Sequence, residues 1–120
     1  MNIRVIIEIP LKLPSLNDYI DLCRTNPYKA AKFKKDIEAQ IALFLQMPTL
    51  EKPIRIDFTW IEPDYRRDPD NIASAKKFIL DAMVKKGKLK NDSRKYVKGF
   101  SDSFGDGPQH KVILDITEAT

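Results

Sequence analysis

Residues 53–83 read PIRIDFTWIEPDYRRDPDNIASAKKFILDAM, and the period of the hydrophobic pattern changes within them. Ile54, Ile56, Phe58 and Trp60 alternate with Arg55, Asp57 and Thr59, the two-residue period of a strand buried on one side. The alternation stops at Pro63. After the loop EPDYRRDP a helical pattern is expected over residues 70–86, closed by Gly87 and with Lys85 and Lys86 in its last turn, where cations suit the helix dipole. A central strand feeding a well-delimited helix is the nucleus of the expected fold.

Outward from this nucleus, NIRVIIEIP (residues 2–10) alternates with Ile3, Val5, Ile7 and Ile9 on one face and predicts a first strand. A short helix is expected over residues 17–23, and a stronger one over 28–46, where Phe33, Ile37, Ile41 and Phe44 recur at helical spacing while Lys32, Lys35, Asp36 and Gln40 lie off that line. Near the end, KYVKGFSDSF and HKVILDITE predict two strands joined as a hairpin around the turn GDGP, residues 105–108. The order β-α-α-β-α-β-β predicts an α+β fold, one small domain over residues 1–120 with a mixed β-sheet and packed helices.

A chain of 120 residues buries about 65% of its unfolded surface, enough to fold without metal or disulfide staples. Its 42% apolar and 32% charged residues are those of a soluble globular protein, and no apolar run approaches the roughly 20 residues that span a bilayer. An acid and prolines interrupt the N-terminal MNIRVIIEIPLKL, which does not read as a signal peptide. Cys23 is the sole cysteine and His110 the sole histidine, so a His/Cys zinc cage within one chain is excluded and a reducing, cytoplasmic location is expected. Any metal is held by oxygen.

The net charge of +4 is modest but unevenly spread. Lys85, Lys86, Lys88, Lys90, Arg94, Lys95 and Lys98 face one acid, Asp92, in the same stretch, and KAAKFKK (residues 29–35) makes a second cluster. Basic clusters are commonly solvated surface; beside an acidic pair they read as grips for a polyanion.

That pair is Asp68 and Asp70, on either side of Pro69. One aspartate there would cap the helix, a common use worth about 1 kcal/mol. Two, after the Arg66–Arg67 pair, exceed what a cap needs. Close carboxylates repel unless a cation sits between them, and Mg²⁺ takes few protein carboxylates while keeping positions for water and phosphate oxygens. Such a site suits phosphodiester hydrolysis. On a continuous helix Lys77 falls two turns beyond Asp70 on nearly the same face, placed to hold the scissile phosphate, and Lys76 points about 100° away. Ile72, Ile79 and Met83 form a core stripe, and Phe78, Leu80 and Ala82 widen it into a surplus that suggests a partner subunit.

The motif RDPDN, the lysine-bearing helix ending in DAMVKKG and the following ND resemble the RusA-type Holliday junction resolvases, phage-borne endonucleases of about this length. The resemblance runs from PSLNDY, residues 14–19, to the terminal strands, and its specific part is residues 66–92. It implies an intertwined homodimer that binds four-way DNA junctions and, with Mg²⁺ or Mn²⁺, nicks two opposed strands in DNA recombination and repair. It places the three catalytic, metal-binding aspartates on Asp68, Asp70 and Asp92. The family lysine maps to Ser74 counting forward from Asp70 and to Lys77 counting back from Asp81; the helical wheel favours Lys77, with Lys76 its rival. Where the family has an acidic pair before the last strands, this chain has Asn91–Asp92. Expected DNA contacts are Arg66, Arg67, Lys76, Lys85, Lys86, Lys88, Lys90, Arg94, Lys95 and Lys98.

A continuous helix over residues 70–86 separates its ends by roughly 24 Å, and the six residues from Lys86 to Asp92 span at most about 20 Å. This suggests a site shared across a two-fold dimer, Asp68 and Asp70 from one subunit and Asp92 from the other; the rival is a helix that ends early, near Asp81, which shortens the gap enough for a site within one chain. Two other functions compete. One is a non-catalytic junction-binding protein of the same fold, which would be expected to lose a carboxylate. The other is a nucleotide phosphohydrolase, which has no use for two basic clusters.

Overall fold

The alternating residues after Pro53 form an interior strand of a four-stranded mixed sheet in the computed structural model, which describes residues 3–119. The elements are β1 (Arg4–Ile9), α1 (Leu16–Thr25), α2 (Pro27–Ala42), β2 (Ile54–Glu62), α3 (Pro69–Ala73), α4 (Lys76–Lys85), β3 (Val97–Asp106) and β4 (Lys111–Glu118). The sheet order is β1-β4-β2-β3; β4 runs antiparallel to both neighbours and β2 parallel to β3. This is the expected α+β order. Asn2 of the expected first strand lies outside the described residues. No helix among the described residues is long and apolar enough to cross a membrane.

Each row of alternate residues finds the core. Ile54, Ile56, Phe58 and Trp60 of β2 are buried together with Val112, Leu114 and Ile116 of β4 and Ile7 and Ile9 of β1. Ile41 of α2 and Phe78, Ile79 and Met83 of α4 belong to the same core. The helix starts are fixed by local chemistry. Ser15 and Asp18 form a reciprocal capping box on α1, and the Asn26 side chain accepts from the Lys29 amide to cap α2, whose first residue is Pro27. α2 ends at Ala42 rather than residue 46, its last turn tightening through Phe44 N–H to the Ile41 carbonyl at 3.0 Å, which keeps Phe44 against the core.

Three expectations are corrected. The last two strands do not pair as a hairpin: β3 and β4 flank β2. β2 is apolar on its buried side and needs ladder partners on both edges, and residues 107–110 suffice to cross the two strand spacings, roughly 10 Å, between β3 and β4. The crossing hugs β2, with Gly107 N–H donating to the Glu62 carbonyl at 3.3 Å. A Cβ on Gly107 would lie 2.5 Å from Ile61 Cγ2, so any larger residue there would force Ile61 to move.

The helix expected over residues 70–86 is broken at Ser74–Ala75 into α3 and α4. The Ser74 hydroxyl accepts from Leu16 N–H at 2.9 Å and donates to the Asn71 carbonyl at 2.7 Å, tying the break to the start of α1. The wheel that aligned Lys77 with Asp70 assumed no break.

The apolar surplus of α4 is consumed within the chain. Phe78, Leu80 and Ala82 are all buried, and the Phe78 ring meets Tyr19 of α1 edge-on at 5.9 Å and Phe33 of α2 at 6.5 Å. Helices lie against α4 as well as the sheet, so several of its faces are covered without a second subunit.

Candidate active site

The loop between β2 and α3 carries the acidic pair, and an ion pair closes its base. Arg67 donates to Glu62 through Nε and Nη2, both at 2.8 Å, and through Nη1 to the Leu13 carbonyl at 2.7 Å. His110 Nδ1 lies 2.9 Å from Glu62 Oε2. Burial alone pushes the Glu62 carboxyl up; the hydrogen bonds from Arg67 and His110, with the charges of those two groups, outweigh it and hold it below its ordinary value. Beyond this clamp, Arg66 N–H donates to Asp64 Oδ1 at 3.0 Å and shapes the loop tip.

Asp68 is the N-cap residue of α3 in extended conformation, with Pro69 next, and its side chain makes no capping hydrogen bond. Asp70 sits in the first turn. Both are exposed, and neither carboxylate enters an ion pair among the described residues. Several other acids are ion-paired: Glu62 with Arg67, Asp64 with Arg66, Asp81 with Lys77 and Lys34, Asp92 with Lys77, and Asp102 with Lys76; Asp106 is not, and its carboxylate accepts from the Tyr65 hydroxyl at 3.3 Å. A cavity of about 370 Å³ opens beside Asp68, with Ile72 and, from β3, Phe104 and Asp106 among its lining.

Asp92 is paired with Lys77. The Lys77 ammonium donates to Asp81 Oδ1 at 3.0 Å and to Asp92 Oδ2 at 3.3 Å. The hydrogen bond to Asp81 raises the Lys77 pKa; burial opposes this, and the charges of Asp81 and Asp92 add to the rise. Chain reach therefore does not require a shared site. α4 begins only at Lys76, and the segment after it turns back at Gly87 and pairs Leu89 beside Leu50, which carries Asp92 to the first turn of α4 in the same chain. Lys76 points to the sheet instead, donating to Asp102 of β3 with its ammonium 4.2 Å from the centre of the Phe100 ring.

Of the expected DNA contacts, Arg66 is exposed and Arg67 turns inward with its guanidinium engaged. Lys85, Lys86, Lys90, Arg94, Lys95 and Lys98 are exposed, and with half-buried Lys88 none is in an ion pair among the described residues. Lys90 and Lys95 each stand 5.7 Å from the Tyr96 ring centre. By contrast, the opposite sheet face pairs its cations: Arg4 with Asp115, Arg55 with Asp57, and Lys111 with Glu8. Uncompensated positive charge is therefore concentrated after α4.

The Glu62–Arg67–His110 cluster and the cavity wall at Phe104 and Asp106 were not foreseen. One signal existed: Glu62 continues the buried row Ile54, Ile56, Phe58, Trp60, and an acid in such a row calls for a partner.

Asp68 and Asp70 are unpaired oxygen donors of the kind a hard divalent cation takes, and Mg²⁺ is commonly held by only one or two carboxylates with water and substrate phosphate completing its shell. By that chemistry the pair fits such an ion. Among the described residues no three Asp, Glu, His or Cys side chains converge as a ready cage, and Asp92 is committed to Lys77. No family model matches the chain, and no curated protein matches it significantly.

Proposed function

We propose that the protein is a divalent-metal-dependent endonuclease of branched DNA that resolves four-way junctions by paired nicks, acting as a homodimer in the cytoplasm. The observation that carries this reading is that Asp68 and Asp70 stand exposed and without counter-charge at the start of α3 among the described residues, while uncompensated cations cluster from the end of α4 onward.

In this reading Asp68 and Asp70 hold Mg²⁺ or Mn²⁺. The ion, when bound, lowers the pKa of the attacking water and neutralises charge on the scissile phosphate. Lys77, kept protonated by Asp81, supplies a fixed positive charge to the phosphate, and Asp92 orients it. Lys85, Lys86, Lys90, Arg94, Lys95 and Lys98 grip the flanking backbone. The resemblance of residues 66–92 to the RusA-type resolvases supports the junction as substrate and a second copy as partner.

A second reading is favoured by one observation. Asp92 is tied to Lys77 instead of being gathered with Asp68 and Asp70, as suits a protein that binds junctions without cutting them. Labelled four-way junction and linear duplex, each incubated with and without Mg²⁺, separate the two. Metal-dependent paired nicks confined to the junction support the endonuclease; tight junction binding with no nicks under any metal supports the binding protein.

A further inference from the structure

We propose that Glu62, Arg67 and His110 form a latch that sets the pose of Asp68, making them positioning residues for the metal site; the inference rests on the endonuclease reading given above. The latch joins parts of the chain that are far apart in sequence. Glu62 ends β2, Arg67 precedes α3, Leu13 lies between β1 and α1, and His110 lies between β3 and β4. The side chains of Glu62 and Arg67 are only 10% and 21% exposed. Three of the five N–H donors of Arg67 are used, one on each guanidinium nitrogen, which turns the fork inward to the fold.

Asp68 is bonded directly to this anchored residue. On its other side Pro69 has a fixed φ, and the Asp68 carbonyl is held by Ile72 N–H at 3.0 Å. Anchored at both flanks, Asp68 keeps little freedom beyond its own side-chain rotation. A buried ion pair is a poor source of stability, because desolvation cancels most of its attraction; in some proteins such pairs instead fix one geometry among alternatives, the role proposed for this one. The bidentate fork of Arg67 on Glu62 fixes both distance and plane, which lysine cannot reproduce. The latch therefore does for a ligating carboxylate what outer-shell partners do at metal sites generally.

The test uses Glu62→Gln and Arg67→Lys in the full chain, with circular dichroism to verify the fold. Amide hydrogen exchange reads residues 63–72 directly, and Mn²⁺ binding and junction cutting are titrated alongside. The expected result is loss of exchange protection in this segment and a metal requirement raised by about 10- to 100-fold, with the cutting rate at saturating metal nearly kept. Should Glu62→Gln not fold, Arg67→Lys retains the charge and gives the same comparison. Unchanged exchange in a folded variant, with wild type still cutting, overturns the latch alone. Loosened exchange with an unmoved metal requirement overturns the positioning role. Wild-type protein that neither binds Mn²⁺ nor cuts overturns the endonuclease reading and the positioning role with it.

Discussion

The Lys77 ammonium stands 3.3 Å from the Asp92 carboxylate, fifteen residues further along the chain. With Asp81 at 3.0 Å it is held as a cation, so it serves the proposed chemistry as a positive charge and not as a base. Lys77→Met is expected to lower junction cutting by about 10²- to 10³-fold, the scale for one donor to a developing oxyanion, with a smaller effect on binding. Lys76→Met should act differently. It removes the cation that pairs Asp102 and leaves that carboxylate with the Trp60 indole N–H alone, so its main effect should be lost stability, read as a lower urea midpoint. Equal losses of cutting in the two variants, at equal stability, would contradict this division of roles.

Asp70 has no counter-charge among the described residues, so replacing it disturbs no ion pair there. Asp70→Asn is expected to abolish metal-dependent cutting while junction binding stays intact or tightens, since the change removes a ligand and a negative charge facing phosphate. A gel shift and a cleavage assay on one preparation decide the matter; wild-type cutting by the variant refutes the metal role.

What the sequence disclosed followed the reach of each interaction. β2 was legible because its alternation is local and its row of Ile54, Ile56, Phe58 and Trp60 is buried as read. The break before α4 was not legible, because the Ser74 hydroxyl that takes up backbone groups there is bonded to Leu16, fifty-eight residues away. Strand order was hidden for the same reason: residues 105–108 look like a hairpin turn, and only the unfilled edge of β2 sends the chain across it. At the candidate site, Asp68 and Asp70 announced themselves by spacing. Arg67 looked like a surface grip beside Arg66 until Glu62 was seen beneath it.

The uncompensated cations after α4 make a quantitative claim. Replacing Lys85, Lys86, Lys90 and Lys95 by glutamine should weaken junction binding and flatten the log–log dependence of affinity on salt by about 0.9 for each duplex phosphate that is no longer neutralised. Binding measured across a salt series checks this. An unchanged slope would reassign these residues to plain solvated surface. Replacing Arg4 and Lys111, whose charges are already paired with Asp115 and Glu8, should leave the slope as it is.

The clamp beneath Asp68 also ties stability to pH. The folded Glu62 carboxyl lies below its ordinary value of 4.5, and Arg67 and His110 are the ionisable groups that face it. A group with a depressed folded pKa stabilises the fold fully above its unfolded pKa and loses that contribution as pH falls through the folded one. Wild type should therefore exceed Glu62→Gln in urea midpoint by a margin that holds near neutrality and shrinks once the pH drops below about 4.5. Arg67→Gln, which removes the bidentate partner and leaves the buried acid with His110 alone, should also fall below wild type in urea midpoint at neutral pH. It should also recover relative to wild type on acidification, as Glu62 takes up its proton. Urea midpoints of all three proteins across the acid range provide the check, and a wild-type margin that widens below about pH 4.5 would show that Glu62 is not held ionised by this cluster.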